Sequence, residues 1–539
     1  MRLKLAITIA AAAAMPAQAM WLDPHGLGQV LVFPYYTANG GNDTLIAVAN
    51  ASAHAKALKI RFHEGYDGRG VLDLDVYLAP HAEWAATVTS AADAAAVARI
   101  VTASDACTVP ALTALPSGLR AIDFSPASFA GEDTYAGPTG NADGGPTTPD
   151  RTREGHFDVL EMGEVTGNAH GSLDAIVPPD GGAPDCSAIA AAWSRTGYWS
   201  ANANADLSPP AGGLSGTEYI VDVARGTMFG VDAAAIDGFR AAPLHTAPGA
   251  RAPDLDSASA DASGRYAALV VADHTPLQLE YADAIDAVSA LFMSGALHGD
   301  FLRDASLGAG TDWIVTAPTK RFYVDPSLAG SRAAAPFELG FAEHYRGGQM
   351  TDLGGQVIRQ WGSSYPYSCV IVGATGYGRA GTATPVGALN DGGAEGGAPS
   401  PRSSASLTPC LETSVLTFGT TIDPSLGEVP KSALGSKLTD ASDPTGDSSV
   451  PFEGGVSTLP SAGSLSLDLV HGLDGVVVAA HALAPAANGE VLAGLPVVAF
   501  AVTAFVNDGV SAGVLANYGA SSAVRSEVAC TTTSGGACR

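Results

Sequence analysis

Leu58-Lys59-Ile60-Arg61-Phe62-His63, then the turn residues 65–70, then Leu72-Asp73-Leu74-Asp75-Val76-Tyr77-Leu78, form the stretch that decides the fold. Apolar side chains fill every second position in both runs. That is the period of a β-strand. Strict alternation places Leu58, Ile60, Phe62, Leu72, Leu74, Val76 and Leu78 in a core, and Lys59, Arg61, His63, Asp73, Asp75 and Tyr77 toward water.

Strand patterns continue on both sides. Residues 29–33 form an apolar run ending at Pro34, and residues 44–49 form another after the turn at 39–43. Beyond Pro80, Trp84, Ala86 and Val88 share one face. Five such runs separated by turns within about 60 residues predict immunoglobulin-like antiparallel β-sandwich modules. The fold class read from the chain is therefore mainly β, with a few short helices. Residues 91–100 and 232–239 read as short helices. Ile285, Val288 and Leu291 recur at helical spacing, with Gly295 just beyond, and give the clearest helix, over 282–293. A hairpin is expected over 219–231, turning at Arg225-Gly226. Segments 131–150, 373–408 and 435–450 are rich in Gly, Pro, Ser, Thr and Asp and read as linkers or loops. The expected organisation is a leader at 1–19, a sandwich at 20–110, a second β-rich region at 111–260 and a C-terminal β-rich region at 261–539.

The leader carries the address. Arg2 and Lys4 precede an apolar run over 5–15, and Ala17-Gln18-Ala19 is a small-residue cleavage site. This is the layout of a secretory signal peptide cut after Ala19. Its apolar run of about 11 residues is too short to span a bilayer, which takes roughly 20. The protein is expected in the periplasm, at the cell surface or outside the cell, with no transmembrane helix. The formal charge is −27, and loss of the two leader cations takes it to −29. So acidic a surface excludes nucleic acid as a partner and suits solubility outside the cell.

Six cysteines follow the leader: Cys107, Cys186, Cys369, Cys410, Cys530 and Cys538. An even count in an oxidising compartment argues for three disulfides. Six cysteines allow 15 pairings. Clustering favours Cys107 with Cys186, Cys369 with Cys410, and Cys530 with Cys538.

No sequence motif names a reaction. The densest polar cluster runs from Arg151 through Glu154, His156 and Asp158 to Glu161 and Glu164. On a strand, Glu154, His156 and Asp158 share a face, which could ligate a divalent metal or supply acid and base groups for glycoside hydrolysis. The plainer reading is a solvated strand face. Oxygen-rich loops at 67–75, 254–261 and 440–447 make calcium a candidate ion, though none has EF-hand spacing. Ser511 lies in a Gly-x-Ser-x-Gly pattern that reads better as a hairpin turn than as a nucleophile elbow. Tyr35, Tyr36, Trp84, Trp193, Trp199 and Trp313 could stack on sugars or plug cores. His63, His298 and His344 read as hydrogen-bonding groups.

The stretch 28–37 (GQVLVFPYYT) with 42–45 (NDTL), then 153–155 (REG) running to 161–163 (EMG), 311–315 with 318–320 (TDWIV and PTK), and 494–498 (GLPVV), resembles a group of secreted proteobacterial proteins of unknown function. The resemblance implies an exported envelope or surface protein and assigns no activity. His156 stands where that group would carry an aromatic residue. The function expected is a secreted or cell-surface structural or binding protein that contacts a cell-envelope protein or a glycan. The alternative is an extracellular polysaccharide hydrolase using Glu154, Asp158 and Glu161.

Overall fold

In the computed structural model, the residues described are 19–91, 96–129, 146–304, 307–330, 332–333, 335–337, 349–351, 357–360, 368, 370, 372–385, 406–407, 409, 411–423, 427–438, 459–472, 477–507, 516–536 and 538. The chain is mainly β with several antiparallel sheets and six short helices among these residues. No helix among them is long and apolar enough to cross a membrane.

The alternating runs become strands as expected. They are β1 (Trp21–Leu22), β2 (Val30–Thr37), β3 (Asp43–Asn50), β4 (Ala55–Glu64), β5 (Gly70–Leu78), β6 (Glu83–Ser90), β7 (Ala98–Thr102), β8 (Cys107–Val109), β9 (Thr113–Ala114) and β10 (Arg120–Asp123). Later come β11 (Glu154–Val165), β12 (Leu207–Ser208), β13 (Leu214–Asp222), β14 (Thr227–Asp232) and β15 (Ala234–Asp237). The first sheet runs β1-β15-β2-β11-β4-β5-β8, with β12 against β11. The second runs β14-β13-β3-β6-β7-β10-β9.

One apolar cluster joins the two sheets. Leu31, Phe33, Leu58, Ile60, Phe62, Leu74, Phe157 and Val159 of the first sheet pack with Ile46, Val48, Trp84, Val88 and Ile100 of the second. Every one of these side chains is at most 2 % exposed. The period-2 pattern thus selects the core face correctly.

The sheets do not divide at residue 110. Strand β11 inserts between β2 and β4, pairing Val159 with Leu31 on one side and Ile60 on the other. Strands β13 and β14 extend the second sheet beyond β3. Residues 20–110 therefore share both sheets with residues 154–237. The 219–231 hairpin forms around Arg225-Gly226 as expected. Two helices do not. Residues 234–237 form β15, which pairs with β2, and residues 98–102 form β7. Both are apolar runs paired on two sides, β15 with β1 and β2 and β7 with β6 and β10, so tertiary pairing overrides local propensity.

Three short helices, α1 (Ser172–Ile176), α2 (Cys186–Ala192) and α3 (Tyr198–Ala201), pack a separate cluster of Ile189, Trp199, Met162 and Tyr77 against the first sheet. The disulfide Cys107–Cys186 ties α2 to β8, and Cys530–Cys538 closes the C-terminal tail. Both pairings are those favoured by clustering. Cys369 and Cys410 lie outside the described residues, as do the leader at 1–18, Ser511 and His344.

The C-terminal region begins with the hairpin β16 (Tyr266–Ala272) and β17 (Thr275–Tyr281), then α4 (Ala284–Phe292), which realises the expected helix. Strands β18 (Met293–Ser294), β19 (Ala296–Asp304) and β20 (Ala309–Thr316) follow. Strand β20 sits between Thr413–Thr417 and Val498–Phe505, inside a third sheet that also holds β19, Ala462–Asp468 and Val372–Gly378. Residues 373–378, expected in a loop, thus continue a strand from Val372, while 386–405 and 439–450 lie outside the described residues. Val30, Val32, Leu160 and Ile236 on the outer face of the first sheet join the core of this region. A further cluster joins Tyr35, Ile220 and Phe229 to Ile314, Val415, Phe500 and Val502.

Candidate functional site

The outer face of β4, β5 and β11 departs from the sequence reading. Its alternating polar residues, the partly exposed Asp73 apart, do not meet water. Lys59, His63, Asp75 and His156 are 0 % exposed, Asp158 is 1 % and Arg61 7 %. Residues 243–257 and 319–324, with Glu412, cover them. Periodicity identifies a second face but not what lies on it. Here the sheet is covered on both sides, and the charges are paired instead of solvated.

Pairing runs across the layer in order. Lys59 Nζ meets Asp75 Oδ1 at 2.9 Å and donates to the Ala247 carbonyl at 3.3 Å. Arg61 Nε donates to Asp73 Oδ1 at 2.9 Å, and its Nη1 donates to the carbonyls of Arg251 and Pro253. At one edge, Arg151 makes a bidentate pair with Glu64 and adds Asp67. The Arg151 guanidinium also stacks 4.6 Å from the centre of the Phe129 ring. Desolvation is the largest effect on Asp75, whose carboxyl rises to about 6 despite Lys59.

The three carboxylates expected to share chemistry sit in three separate cages. Glu154 accepts from the Tyr35 and Ser436 hydroxyls, from Asn39 Nδ2 at 2.9 Å and from the Lys437 backbone N–H at 2.9 Å. Glu161 accepts from Lys56 Nζ at 2.6 Å and from the N–H groups of Ala211 and Gly212. Asp158 lies beside His63, with Oδ2 3.6 Å from Nε2. Glu161, three positions beyond Asp158, falls on the opposite face of β11 by plain alternation, and Glu154, at the strand start, is drawn to partners from β2 and residues 436–437. Burial raises all three carboxyls, Asp158 to about 7.

What the fold does bring together is His63, His156 and Asp158. His156 is the register partner of His63 across β11 and β4, and the two rings stack at 5.0 Å and 27°. One ligand-type atom from each of the three residues lies within 4.8 Å of the others. Glu412 lies beside this trio, with Oε1 3.6 Å from His156 Nε2. The strand start carrying Glu412 is pinned to the β4–β5 turn, where the N–H groups of Glu412 and Thr413 donate to the carbonyls of Tyr66 and Gly65. Gly68 turns at φ +67°, and a Cβ there would collide with the Glu412 carboxylate.

The tautomer of His63 follows from its neighbours. The Gly68 carbonyl, 3.1 Å from Nδ1, can only accept, so Nδ1 carries the proton and Nε2 presents its lone pair. His63 Nε2, both ring nitrogens of His156, Asp158 Oδ1 and both Glu412 oxygens make no hydrogen bond among the described residues. Burial and the Arg321 guanidinium hold both imidazoles neutral, His156 down to about 3, while burial raises Glu412. Each unpaired buried polar group costs on the order of 1–3 kcal/mol, so this cluster is expensive as it stands.

The other sequence candidates resolve as follows. In the 67–75 loop each acid has its own cation, Arg151, Arg61 or Lys59. Asp254 and Asp261 accept from their own loop at Ser257, and at Ser263 and Arg265. The 440–447 loop lies outside the described residues. Tyr35, Tyr36, Trp84, Trp199 and Trp313 are at most 1 % exposed and fill cores. Trp193 is half-buried and donates to the Tyr77 hydroxyl. Beside Lys320 and Glu412 lies a small, mostly apolar cavity lined by Val315, Leu411, Leu467 and Val497.

No known protein family, curated protein or solved structure matches this chain. The reading of function therefore rests on the residues themselves. Sequence reasoning missed the pairing of His63 with His156. The signal was present: both lie on alternating strands at polar positions. Glu412 and Arg321 carry no local signal, because only the packing of distant segments brings them in.

Proposed function

We propose that this chain is an exported structural or binding protein, built on sandwich modules of immunoglobulin-like type, that contacts a cell-envelope protein or a glycan through its exposed loops and sheet edges. The observation that carries this reading is the sealing of Glu154, Asp158 and Glu161, each at most 2 % exposed and each in its own cage. A polymeric substrate needs convergent carboxylates in an open cleft. Glu154 and Glu161 instead bond their strand to neighbouring segments, and Asp158 is enclosed beside His63. The disulfides and the leader-like start fit a life outside the cytoplasm, as does the resemblance to secreted proteobacterial proteins. Met20, the first residue after the expected cut, is 2 % exposed, and its N–H donates to the Ala267 carbonyl.

The test is fractionation of cells expressing the tagged chain, followed by cross-linking and pull-down from the envelope. The expected result is recovery of the chain shortened after Ala19, with one recurrent envelope protein or glycan. Polysaccharide hydrolysis by the purified chain, abolished by Glu154→Gln or Glu161→Gln in a folded variant, would overturn the reading.

A further inference from the structure

We propose that His63, His156, Asp158 and Glu412 form a buried binding site for a divalent transition-metal ion, with zinc as the best-fitting candidate, that locks the first sheet to the C-terminal region. The inference is independent of any partner of the protein.

Three observations carry it. The donor set is two imidazoles and two carboxylates, the chemistry of zinc and its neighbours and not of calcium, which takes oxygen ligands. The spacing is close to that of a site. Ligands about 2.0–2.1 Å from a tetrahedral ion stand about 3.3 Å apart; His63 Nε2 with Asp158 Oδ2 and His156 Nε2 with Glu412 Oε1 are each separated by 3.6 Å, and the His63, His156 and Asp158 atoms lie within 4.8 Å of one another, so the side chains would draw inward to close on an ion. The donors are also uncommitted. His63 Nε2, His156, Asp158 Oδ1 and Glu412 have no hydrogen-bond partner among the described residues, although the four side chains are at most 1 % exposed.

The surroundings are those of a structural site. The Gly68 carbonyl fixes His63 in the tautomer that offers Nε2, as an outer-shell partner of a metal-bound histidine does. Arg321, the nearby cation, donates from Nη1 to the same carbonyl at 3.4 Å. As metal ligands the two carboxylates would be deprotonated, and against one guanidinium they would leave a net negative charge that a divalent ion offsets. The ligands come from β4, β11 and the segment preceding Thr413–Thr417, so the ion would bridge segments some 350 residues apart in sequence. Being sealed, it would load during folding.

The experiment expresses the exported chain in zinc-supplemented medium, passes it through chelating resin and measures metal by mass spectrometry. One equivalent of zinc per chain is expected, falling at least tenfold in His63→Gln/His156→Gln. Absence of zinc from the wild-type chain, both as purified and after refolding with zinc, would overturn the proposal. So would a double variant that holds as much as wild type. If the double variant fails to fold, zinc-edge X-ray absorption on the wild-type chain decides: two imidazoles and oxygen donors are expected, and sulfur donors or no imidazole would refute the site.

Discussion

Arg151 grips Glu64 with two parallel hydrogen bonds, Nε to Oε2 at 2.8 Å and Nη2 to Oε1 at 3.0 Å, with both side chains fully buried. Glu64 also accepts from the N–H groups of Tyr66, Asp67 and Arg69, so one carboxylate organises the β4–β5 turn and anchors the segment leading into β11. Removing one partner of a buried pair strands the other charge, at a cost of roughly 3–5 kcal/mol. Arg151→Ala should lose about that much in urea unfolding. Arg151→Lys should recover little, because an ammonium cannot make the two-pronged contact. A loss below about 1 kcal/mol for Arg151→Ala would show that the pair does not organise the turn.

His245 predicts acid sensitivity. Its Nδ1 donates to the Ala203 carbonyl at 2.6 Å, and its Nε2 accepts from the Tyr77 hydroxyl at 2.9 Å. Burial lowers its pKa from 6.5 to about 4. A folded pKa below the unfolded one gives stability that is present above pH 6.5 and lost as pH falls toward 4. The loss should reach about 3 kcal/mol, at 1.36 kcal/mol per pKa unit. His245→Gln should be less stable than wild type at pH 7 and should show a shallower decline between pH 6.5 and 4, read from unfolding midpoints. An unchanged slope would contradict the assignment.

Glu218 predicts the opposite trend. It sits on β13 at 0 % exposure, neither carboxyl oxygen has a hydrogen-bond partner among the described residues, and burial alone raises its pKa well above 4.5. A raised carboxyl contributes stability below pH 4.5 that is lost as pH rises through the folded value. Glu218→Gln should therefore gain on wild type as pH increases, by about 1–3 kcal/mol at pH 8. Equal pH dependence in the two chains would count against a protonated Glu218.

The Cys107–Cys186 bridge closes a loop of 79 residues by sequence separation. Chain-entropy arguments give such a bridge about 4 kcal/mol. Replacing both cysteines by alanine should lower stability by roughly 2–5 kcal/mol and release α2 from β8 first, seen as faster amide exchange over 186–192. Uniform exchange across the first sheet and α2 would contradict this order.

How much was legible follows from which forces are local. The runs 58–63 and 72–78 reveal their strands and core face because side-chain direction alternates with position. They could not reveal that Lys59, Arg61 and His63 are covered, since the covering residues 243–257 and 319–324 are distant in sequence. The insertion of β11 between β2 and β4 was hidden for the same reason. Residues 234–237 resemble a helix locally yet form a strand between β1 and β2. The two described disulfides were legible because their cysteines are neighbours among few. The His63–His156 pair needed strand register, which depends on which strands meet.

Carboxyl footprinting tests the sealed polar layer most directly. The folded chain is treated with a carbodiimide and an amine, and each labelled acid is located by mass spectrometry. Glu154, Asp158 and Glu161 should remain unlabelled until the protein unfolds, while the exposed Glu83 and Glu527 label at once. Labelling of Glu154, Asp158 and Glu161 in the native chain, at rates near those of Glu83 and Glu527, would contradict the account.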